Sequence, residues 1–290
     1  MFNLYRKTYV EINLENIYSN FKSVEKILNG KTVIPVVKAN AYGHGMIEVS
    51  KYLYSKNIDY FAVSLLEEAL ELRSTLPNID ILVMGVVYPD QLEMISSKNI
   101  TFTLSNDSLL DKIISFNKPL KLHLKVDTGM NRLGFKNFEK AKQVLEQLSK
   151  NKFVNVEGVY THFATADCDD KYYKKQTNLF DDFINMVNYD FQMIHVSNSS
   201  SSIKYETDIK YSTHVRLGIS LYGLTLDSET KFLKNTFRLI THVAEFKYLK
   251  KDEYLGYGAT YQASEDEIIG ILPIGYADGL LRNSRDSNVE

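Results

Sequence analysis

The sequence predicts an α/β protein, a (β/α)8 TIM-like barrel followed by a β-rich C-terminal segment. Three observations carry this. Eight short, continuously apolar runs alternate with helical stripes up to about residue 235, which marks parallel strands buried on both faces. Eight such units favour closure into a barrel over an open sheet, and no Gly-x-Gly-x-x-Gly follows the first strand to argue for a dinucleotide-binding sheet. Past about Phe237 the helical stripes stop and Gly-rich joints separate extended segments. The expected domains are therefore residues 1–235, with the first few available to pair with the β domain, and residues 236–290.

The elements follow in order. Asn13 offers a side-chain acceptor just before Leu14, Ile17, Tyr18, Phe21, Val24 and Leu28, a stripe at helical spacing, and Gly30 lies just past its end. Val33–Val37 is the first barrel strand. Tyr60–Val63 is the second, and it runs into Ser64-Leu-Leu-Glu67, a capping-box pattern that opens a helix. Ile81–Gly85, Thr101–Leu104, Leu120–Val126, Val156–His162, Met193–Val196 and Val215–Leu221 complete the eight. Arg238–Leu249, Leu255–Ala263 and Ile268–Tyr276 are the extended segments of the second part. Three such segments, stopping at Asn288-Val289-Glu290, have exposed edges and little core. The β-rich part is expected to be the truncated start of a larger domain.

Bulk properties exclude several classes. The 290 residues suffice for one large domain or two ordinary ones, and 44% apolar with 24% charged residues is ordinary for a soluble protein. A formal net charge of −2 points to neither nucleic acid nor an anionic membrane. Cys168 is the single cysteine, so no internal disulfide forms, and a reducing compartment is implied. The N-terminus lacks the apolar core of a signal peptide, and no apolar run is long enough to span a bilayer. The expected location is the cytoplasm.

The chemistry concentrates in Val36–Gly45, VVKANAYGHG. An apolar strand delivers Lys38 to its end, and Tyr42, Gly43, His44 and Gly45 follow at once. A lone lysine usually snorkels into solvent. One half in a dry core loses charge by desolvation and becomes a nucleophile for carbonyls. In a barrel the reactive groups sit at the C-terminal strand ends. There the sequence places Lys38 and Tyr42, then Lys125, Asp127 and Arg132, then His162, then Ser197, Asn198 and Ser199, and lastly Arg216, Gly218 and Ile219. Hydroxyls and backbone N–H groups at Asn198–Ser200, with Gly218 permitting close approach, suit a phosphate. An imine-forming lysine, a phosphate cradle and an arginine aimed at a ring together point to pyridoxal 5'-phosphate.

At VVKANAYGHG, HLKVDTGMNRLGF, GVYTHFATAD, HVSNSS, VRLGISLYGL, GYGATY and PIGYADG the chain resembles the bacterial alanine racemases, fold-type III pyridoxal phosphate enzymes. The motifs occur in the family's order and cover nearly the whole chain. The resemblance implies a two-base interconversion of L- and D-alanine that supplies D-alanine for peptidoglycan. Lys38 would hold the cofactor as an internal aldimine and act as one base, with Tyr257 as the other. Tyr42, Ser199, Gly218 and Ile219 would contact the cofactor phosphate, and Arg216 its ring nitrogen. His162 would bond towards Arg216 and Tyr257. Asn198, His195 and Tyr276 would stand behind the site or at its entrance, Asn198 on the cofactor side and Tyr276 on the substrate side. Arg132 would bind near the substrate carboxylate, and Lys125 matches a position that is often carbamylated. The resemblance also implies a homodimer whose active sites combine residues of both subunits. The family continues beyond GYADG, and many relatives have a small residue where Asn131 stands.

Racemisation removes a proton from one face of Cα and returns one on the other, so two bases on opposite faces are the simple solution. Three rival readings remain. One is a serine or broad-specificity racemase. Another is a non-catalytic pyridoxal phosphate module, which GYGATY argues against. The last is a metal-dependent hydrolase, which would want a His-x-His pair where Val36-Val37-Lys38 stands. No metal is expected.

Overall fold

In the computed structural model, residues 5–205, 211–224 and 230–281 are described. The chain divides into two units: Asn13–Thr236, and Met1–Ile12 with Phe237–Glu290. Tyr9–Ile12, strand β1, belongs to the latter.

The first unit is built on eight parallel strands: β2 (Thr32–Pro35), β3 (Tyr60–Val63), β4 (Asp80–Val83), β5 (Thr101–Leu104), β6 (Leu120–Lys125), β7 (Val154–Tyr160), β8 (Met193–His195) and β9 (His214–Leu217). They are hydrogen-bonded in the order β2-β9-β8-β7-β6-β5-β4-β3. The two ends meet. Val36 bridges Ala62 in parallel, and the Val37 N–H donates to the Ala62 carbonyl at 2.9 Å. The predicted barrel is thus a closed ring. Several apolar runs outlast their ladders, because burial continues after the last strand hydrogen bond. The clearest correction is the eighth strand. It ends at Leu217, and Ile219–Tyr222 is a 3-10 turn.

Helix α1 (Leu14–Ile27) starts where the cap signal places it. Asn13 Oδ1 accepts the Asn16 N–H at 2.9 Å, and Ile17, Phe21 and Val24 form the buried face. The chain then leaves through Asn29 and Gly30 at φ 46° and 88°, the left-handed stop that these residue types favour. After α2 (Met46–Tyr54) comes α3 (Leu66–Thr75), where the predicted box is displaced by one residue. Glu68, not Glu67, reaches back to the Leu65 N–H at 3.0 Å. Leu65 at the N-cap has no side-chain acceptor, so only the glutamate half of the box exists.

Strand side chains alternate, so residues two apart share a face. Ile34, Val36, Ala62, Leu82 and Met193 pack into one buried cluster. Lys38 continues the Ile34–Val36 column one step past it. The same arithmetic puts His123 with Lys125, and His195 with Ser197. It also puts His214, Arg216 and Gly218 in one column. A β-bulge in β7 sets the remaining register. Leu122 faces Val156 but His123 faces Gly158, so Glu157 is the extra residue and Tyr160 comes opposite Lys125.

In the second unit β1 pairs antiparallel with β10 (Phe237–Ile240). The stretch Arg238–Leu249, read as one extended segment, is two strands: β10, and β11 (Glu245–Leu249), which pairs with β14 (Glu267–Ile271). Between them β12 (Tyr254–Leu255) pairs with β13 (Tyr261–Gln262). Arg6 and Asp278 form a two-armed ion pair, 3.0 Å from Nη1 to Oδ2 and 2.6 Å from Nη2 to Oδ1. The expected stop at Asn288-Val289-Glu290 lies outside the described residues.

Ile34 is fully buried in the barrel interior. Ile34→Ala should lower unfolding stability by about 2–5 kcal/mol in urea titrations, as large-to-small core changes do.

Candidate active site

Lys38 leaves β2 into a short turn unlike any other in the barrel. Ala39, Asn40, Ala41 and Tyr42 all have φ between 50° and 54°, a single turn of left-handed helix. For residues with a Cβ this costs roughly 1–2 kcal/mol each, so neighbours must hold it. The Ala41 N–H donates to Val37 O at 2.8 Å, and the Gly45 N–H to Asn40 O at 3.0 Å. Asn40 Oδ1 accepts the Met46 N–H at 2.8 Å. His44, one of the residues that directly follow Lys38 in the motif, is a strut. It is buried, its Nδ1 lies 3.1 Å from Ala41 O, and its ring packs on Tyr222 at 4.6 Å. The turn carries Tyr42 back over the mouth, where the Lys38 Nζ lies 5.9 Å from its ring centre.

Lys38 is half-buried. Burial pushes its ammonium pKa down, Arg132 pushes it further down, and Glu68 opposes both. It shares one cavity of about 510 Å³ with Tyr42, Lys125, Arg132, His162, Asn198, Ser199, Arg216, Gly218 and Ile219. Of the twelve residues that the sequence assigns to the barrel's mouth, these ten line the cavity, whereas Asp127 and Ser197 do not. Each comes from a strand end or the loop after it.

Arg216 organises the floor of this cavity. Its guanidinium is buried and bonded to three carbonyls: Thr161 O at 2.8 Å, Val196 O at 3.1 Å, and His195 O. Nη1 also lies 2.8 Å from His195 Nδ1, and Nη2 lies 3.3 Å from His162 Nδ1. Arginine has only donors to offer. His195 must therefore accept at Nδ1 and carry its proton on Nε2, which lies 2.7 Å from His123 Nδ1. His123 in turn carries its proton on Nε2. The imidazoles are neutral for the same reason: burial, then the arginine, pushes His162 down to about 3 and His195 well below its usual range. For His123, burial, then His214 and Arg216, pushes the value down to about 3. Burial lowers Arg216 itself to about 10, which leaves it a cation at neutral pH. The bonds among the described residues use Nη1 and Nη2, so Nε remains as a donor.

His195, expected behind the site or at its entrance, is fully buried beneath it. The residue that sequence missed is Tyr160. Its ring stacks on His195 at 4.6 Å and 14°, with Arg216 Cζ 5.0 Å and Lys125 Nζ 5.1 Å from its centre. Its hydroxyl lies 2.8 Å from Thr103 Oγ1. In the sequence it is one apolar strand residue among several, and only the bulge in β7 reveals which way it faces. Lys125 is buried among cations. Burial, then Arg216 and Arg132, lowers it to about 8, against a smaller opposing pull from Asp127. Arg132 stands exposed at the rim, in a loop fixed by Asp127 Oδ1, which accepts the N–H groups of Gly129 and Asn131 at 3.0 Å each. Asn131 adopts φ 56°, a conformation that asparagine tolerates.

The far side of the cavity suits a phosphate. Ser199 Oγ sits between the Gly218 N–H at 3.1 Å and the Ser220 N–H at 3.3 Å. A Cβ on Gly218 would stand 2.9 Å from the Tyr42 hydroxyl and 3.7 Å from Ser199 Oγ, so glycine keeps this polar cradle open. Asn198 caps the helix that follows it, accepting the Ser201 N–H at 3.1 Å, and its amide reaches Phe163 O at 3.4 Å. A depressed lysine amine, a cradle of hydroxyl and N–H donors and a buried cation with one donor free match the aldehyde, phosphate and ring nitrogen of pyridoxal phosphate. Tyr257 and Tyr276, the other two predicted site residues, belong to the second unit. Both lie on 3-10 turns and are exposed, 86% and 63%. Among the described residues no group of three or more His, Cys, Asp or Glu could hold a metal ion.

Comparison with known proteins agrees with this geometry. The family profile "Alanine racemase, N-terminal domain" matches residues 12–226, and "Alanine racemase, C-terminal domain" matches residues 236–289. An alanine racemase of Staphylococcus carnosus is 36% identical over 296 residues, covering 99% of this chain and 76% of the relative. A crystal structure of alanine racemase from E. faecalis superposes with a TM-score of 0.90 at 34% identity, covering 97% of this chain and 78% of that one. A histidine racemase from Leuconostoc mesenteroides has the same architecture, with a TM-score of 0.83 at 29% identity over 95% of this chain and 76% of that one.

Gly218→Ala tests the cradle. An alanine Cβ there would stand 2.9 Å from the Tyr42 hydroxyl, the far end of a side chain that must move aside. Titration with pyridoxal phosphate should show binding weakened about tenfold or more, an energy of about 1.4 kcal/mol, with the thermal melt of the cofactor-free protein little changed.

Proposed function

The chain belongs to the alanine racemase family, and from that premise we propose which of its residues carry the reaction, the interconversion of L- and D-alanine with pyridoxal 5'-phosphate. The observation that carries the proposal is the Lys38 amine, depressed by burial and Arg132, in one cavity with the buried, protonated Arg216. When bound, the cofactor supplies an aldehyde that links to amines and a ring that spreads the electron pair left at Cα.

The protein residues do the rest. Lys38 would hold the cofactor and move the Cα proton on one face. Tyr257 would move it on the other. Tyr42, Ser199, Gly218 and Ile219 would hold the phosphate, with Asn198 keeping the serine helix in place. Arg216 would offer its Nε–H to the ring nitrogen. A guanidinium donates a hydrogen bond there without surrendering the proton, which limits electron withdrawal by the ring and so discourages side reactions such as transamination. His162, neutral and bound to Arg216, would orient the second base. Arg132 and Tyr276 would meet the substrate, Arg132 through its carboxylate.

Every lining residue of the cavity belongs to Asn13–Thr236, whereas Tyr257 is exposed in the other unit. This supports a homodimer in which Tyr257 completes the partner's site. Lys38→Ala and Tyr257→Phe chains, each expected to lose at least 100-fold in kcat, should recover part of the activity when mixed. No recovery in verified heterodimers counts against shared sites.

Lys125 is proposed to be carbamylated. Its neutral amine adds to carbon dioxide and releases a proton, and the resulting anion pairs with Arg132. Only the free amine reacts, so with a value of about 8 the carbamate should fade as pH falls below that point. Carbon-13 NMR with labelled bicarbonate reads this directly. A carbamate signal independent of Lys125→Ala would refute the assignment.

Broader amino-acid specificity is the second reading, favoured by the likeness to a histidine racemase. The ratio of kcat/KM for alanine, serine and histidine separates the two. No helix among the described residues is long and apolar enough to cross a membrane. We place the enzyme in the cytoplasm, where its product would feed peptidoglycan assembly.

A further inference from the structure

Glu68 has no part in the reaction so far. It is half-buried in the first turn of α3, and its carboxylate accepts three backbone N–H groups. Oε2 takes Ser64 at 2.8 Å and Leu65 at 3.0 Å, which is the ordinary work of a glutamate at a helix N-terminus. Oε1 takes the Ala39 N–H at 2.6 Å, and that is not ordinary. Ala39 directly follows Lys38 and is the first of the four left-handed residues. Among the described residues its N–H has no other acceptor. The bond joins the end of β2 to the end of β3, where the ladder between them has thinned to the Val36–Ala62 bridge and the Val37 N–H to Ala62 O bond.

We propose that Glu68 is a positioning residue for the cofactor lysine: its carboxylate pins the N–H that follows Lys38 and so fixes where the strained turn begins and where the amine points. This rests on the assignment of Lys38 as the residue that holds the cofactor. Both oxygens are needed, one for each strand end. A glutamine has one acceptor and one amide donor, so whichever way it turns it loses one set of bonds and aims its own N–H at a backbone N–H. An aspartate keeps the charge but is one methylene too short to span Ala39 and the helix start together.

The charge adds a second, separable effect. The groups facing the Lys38 amine are Glu68 from α3, Arg132 from the loop after β6, Lys125 on β6, His162 after β7 and Tyr42 on the turn itself. Glu68 is the anion of this set and favours the ammonium form. Removing its charge lets the free amine persist to lower pH. Loss of the pin slows attack by the amine, and loss of the charge moves the acid limb of the pH profile downwards.

The experiment adds pyridoxal phosphate to the full chain stripped of cofactor. It follows, across pH, the rate at which the cofactor becomes fixed to Lys38 on borohydride reduction, with the site read by peptide mapping. Glu68→Gln and Glu68→Asp should each slow fixation roughly tenfold or more at alkaline pH. Only Glu68→Gln should shift the acid limb to lower pH. A helix-capping role alone would lower the melting temperature and leave that limb in place. Label on another residue in the unaltered protein overturns the Lys38 assignment and this inference with it. Label on Lys38 with rates and limb unchanged in both variants overturns the inference alone. Should the variants fail to fold, hydrogen exchange in the unaltered protein decides. The Ala39 amide should be strongly protected, and exchange at the rate of an unstructured amide refutes the pin.

Discussion

The buried guanidinium of Arg216 is the constraint on which the rest of the site depends. A cation without a carboxylate partner survives in a barrel interior only if other acceptors take most of its donors. Here three carbonyls from the ends of β7 and β8, two imidazoles and the face of Tyr160 meet it. The arrangement then dictates its neighbours' states. An imidazole that accepts from arginine cannot itself be protonated at that nitrogen, so His195 and His162 are neutral acceptors and the Nε2–H of His195 donates outward to His123 Nδ1. One fixed cation thus settles three histidine protonation states by hydrogen-bond direction alone.

Much of this was legible in the sequence, and the reason is geometric. Barrel strands alternate strictly, and their C-terminal ends share one rim. Lys38, Lys125, His162, Ser199 and Arg216 could therefore be placed together without any tertiary information. Helix α1 was legible from Asn13 to Gly30 because cap, stripe and stop are all local. What escaped depends on register or on one-residue choices. Tyr160 faces the site only because Glu157 is bulged out. His195 was expected behind the site or at its entrance, and the column it shares with Ser197 does not choose between the two, because it does not say how deep the rim lies. Glu67 and Glu68 are equivalent to a pattern search, and the helix begins one residue later than the serine suggests. The left-handed turn after Lys38 was invisible, because alanine and asparagine carry no signal strong enough to announce four consecutive positive φ values.

That turn shows how local cost and function are coupled. A right-handed start would draw the chain after Lys38 along the barrel wall. The left-handed turn instead folds Tyr42 back over the mouth, within reach of Lys38 and Gly218. The surrounding bonds come from Val37, Asn40 and the strut His44, so much of the VVKANAYGHG motif is occupied with holding a conformation. A motif rich in chemistry-bearing residue types need not use them all chemically.

The charge balance of the cavity explains what it is built to receive. Lys38, Lys125, Arg132 and Arg216 all line it. Each of the two buried or half-buried lysines is lowered by burial first and by neighbouring arginines next. The carboxylates that act on them, Glu68 and Asp127, are committed to backbone N–H groups. Left to itself such a set repels, and in a partly desolvated cavity that repulsion is poorly screened. The molecules proposed for this site carry anionic groups at both ends: a phosphate on the cofactor and a carboxylate on the amino acid. A carbamate on Lys125 would add a third negative group beside Arg132. On the proposed assignment the ligands supply charge opposite to this cluster, so their binding would both relieve the repulsion and fix the positions of the two ends between which Cα must be held.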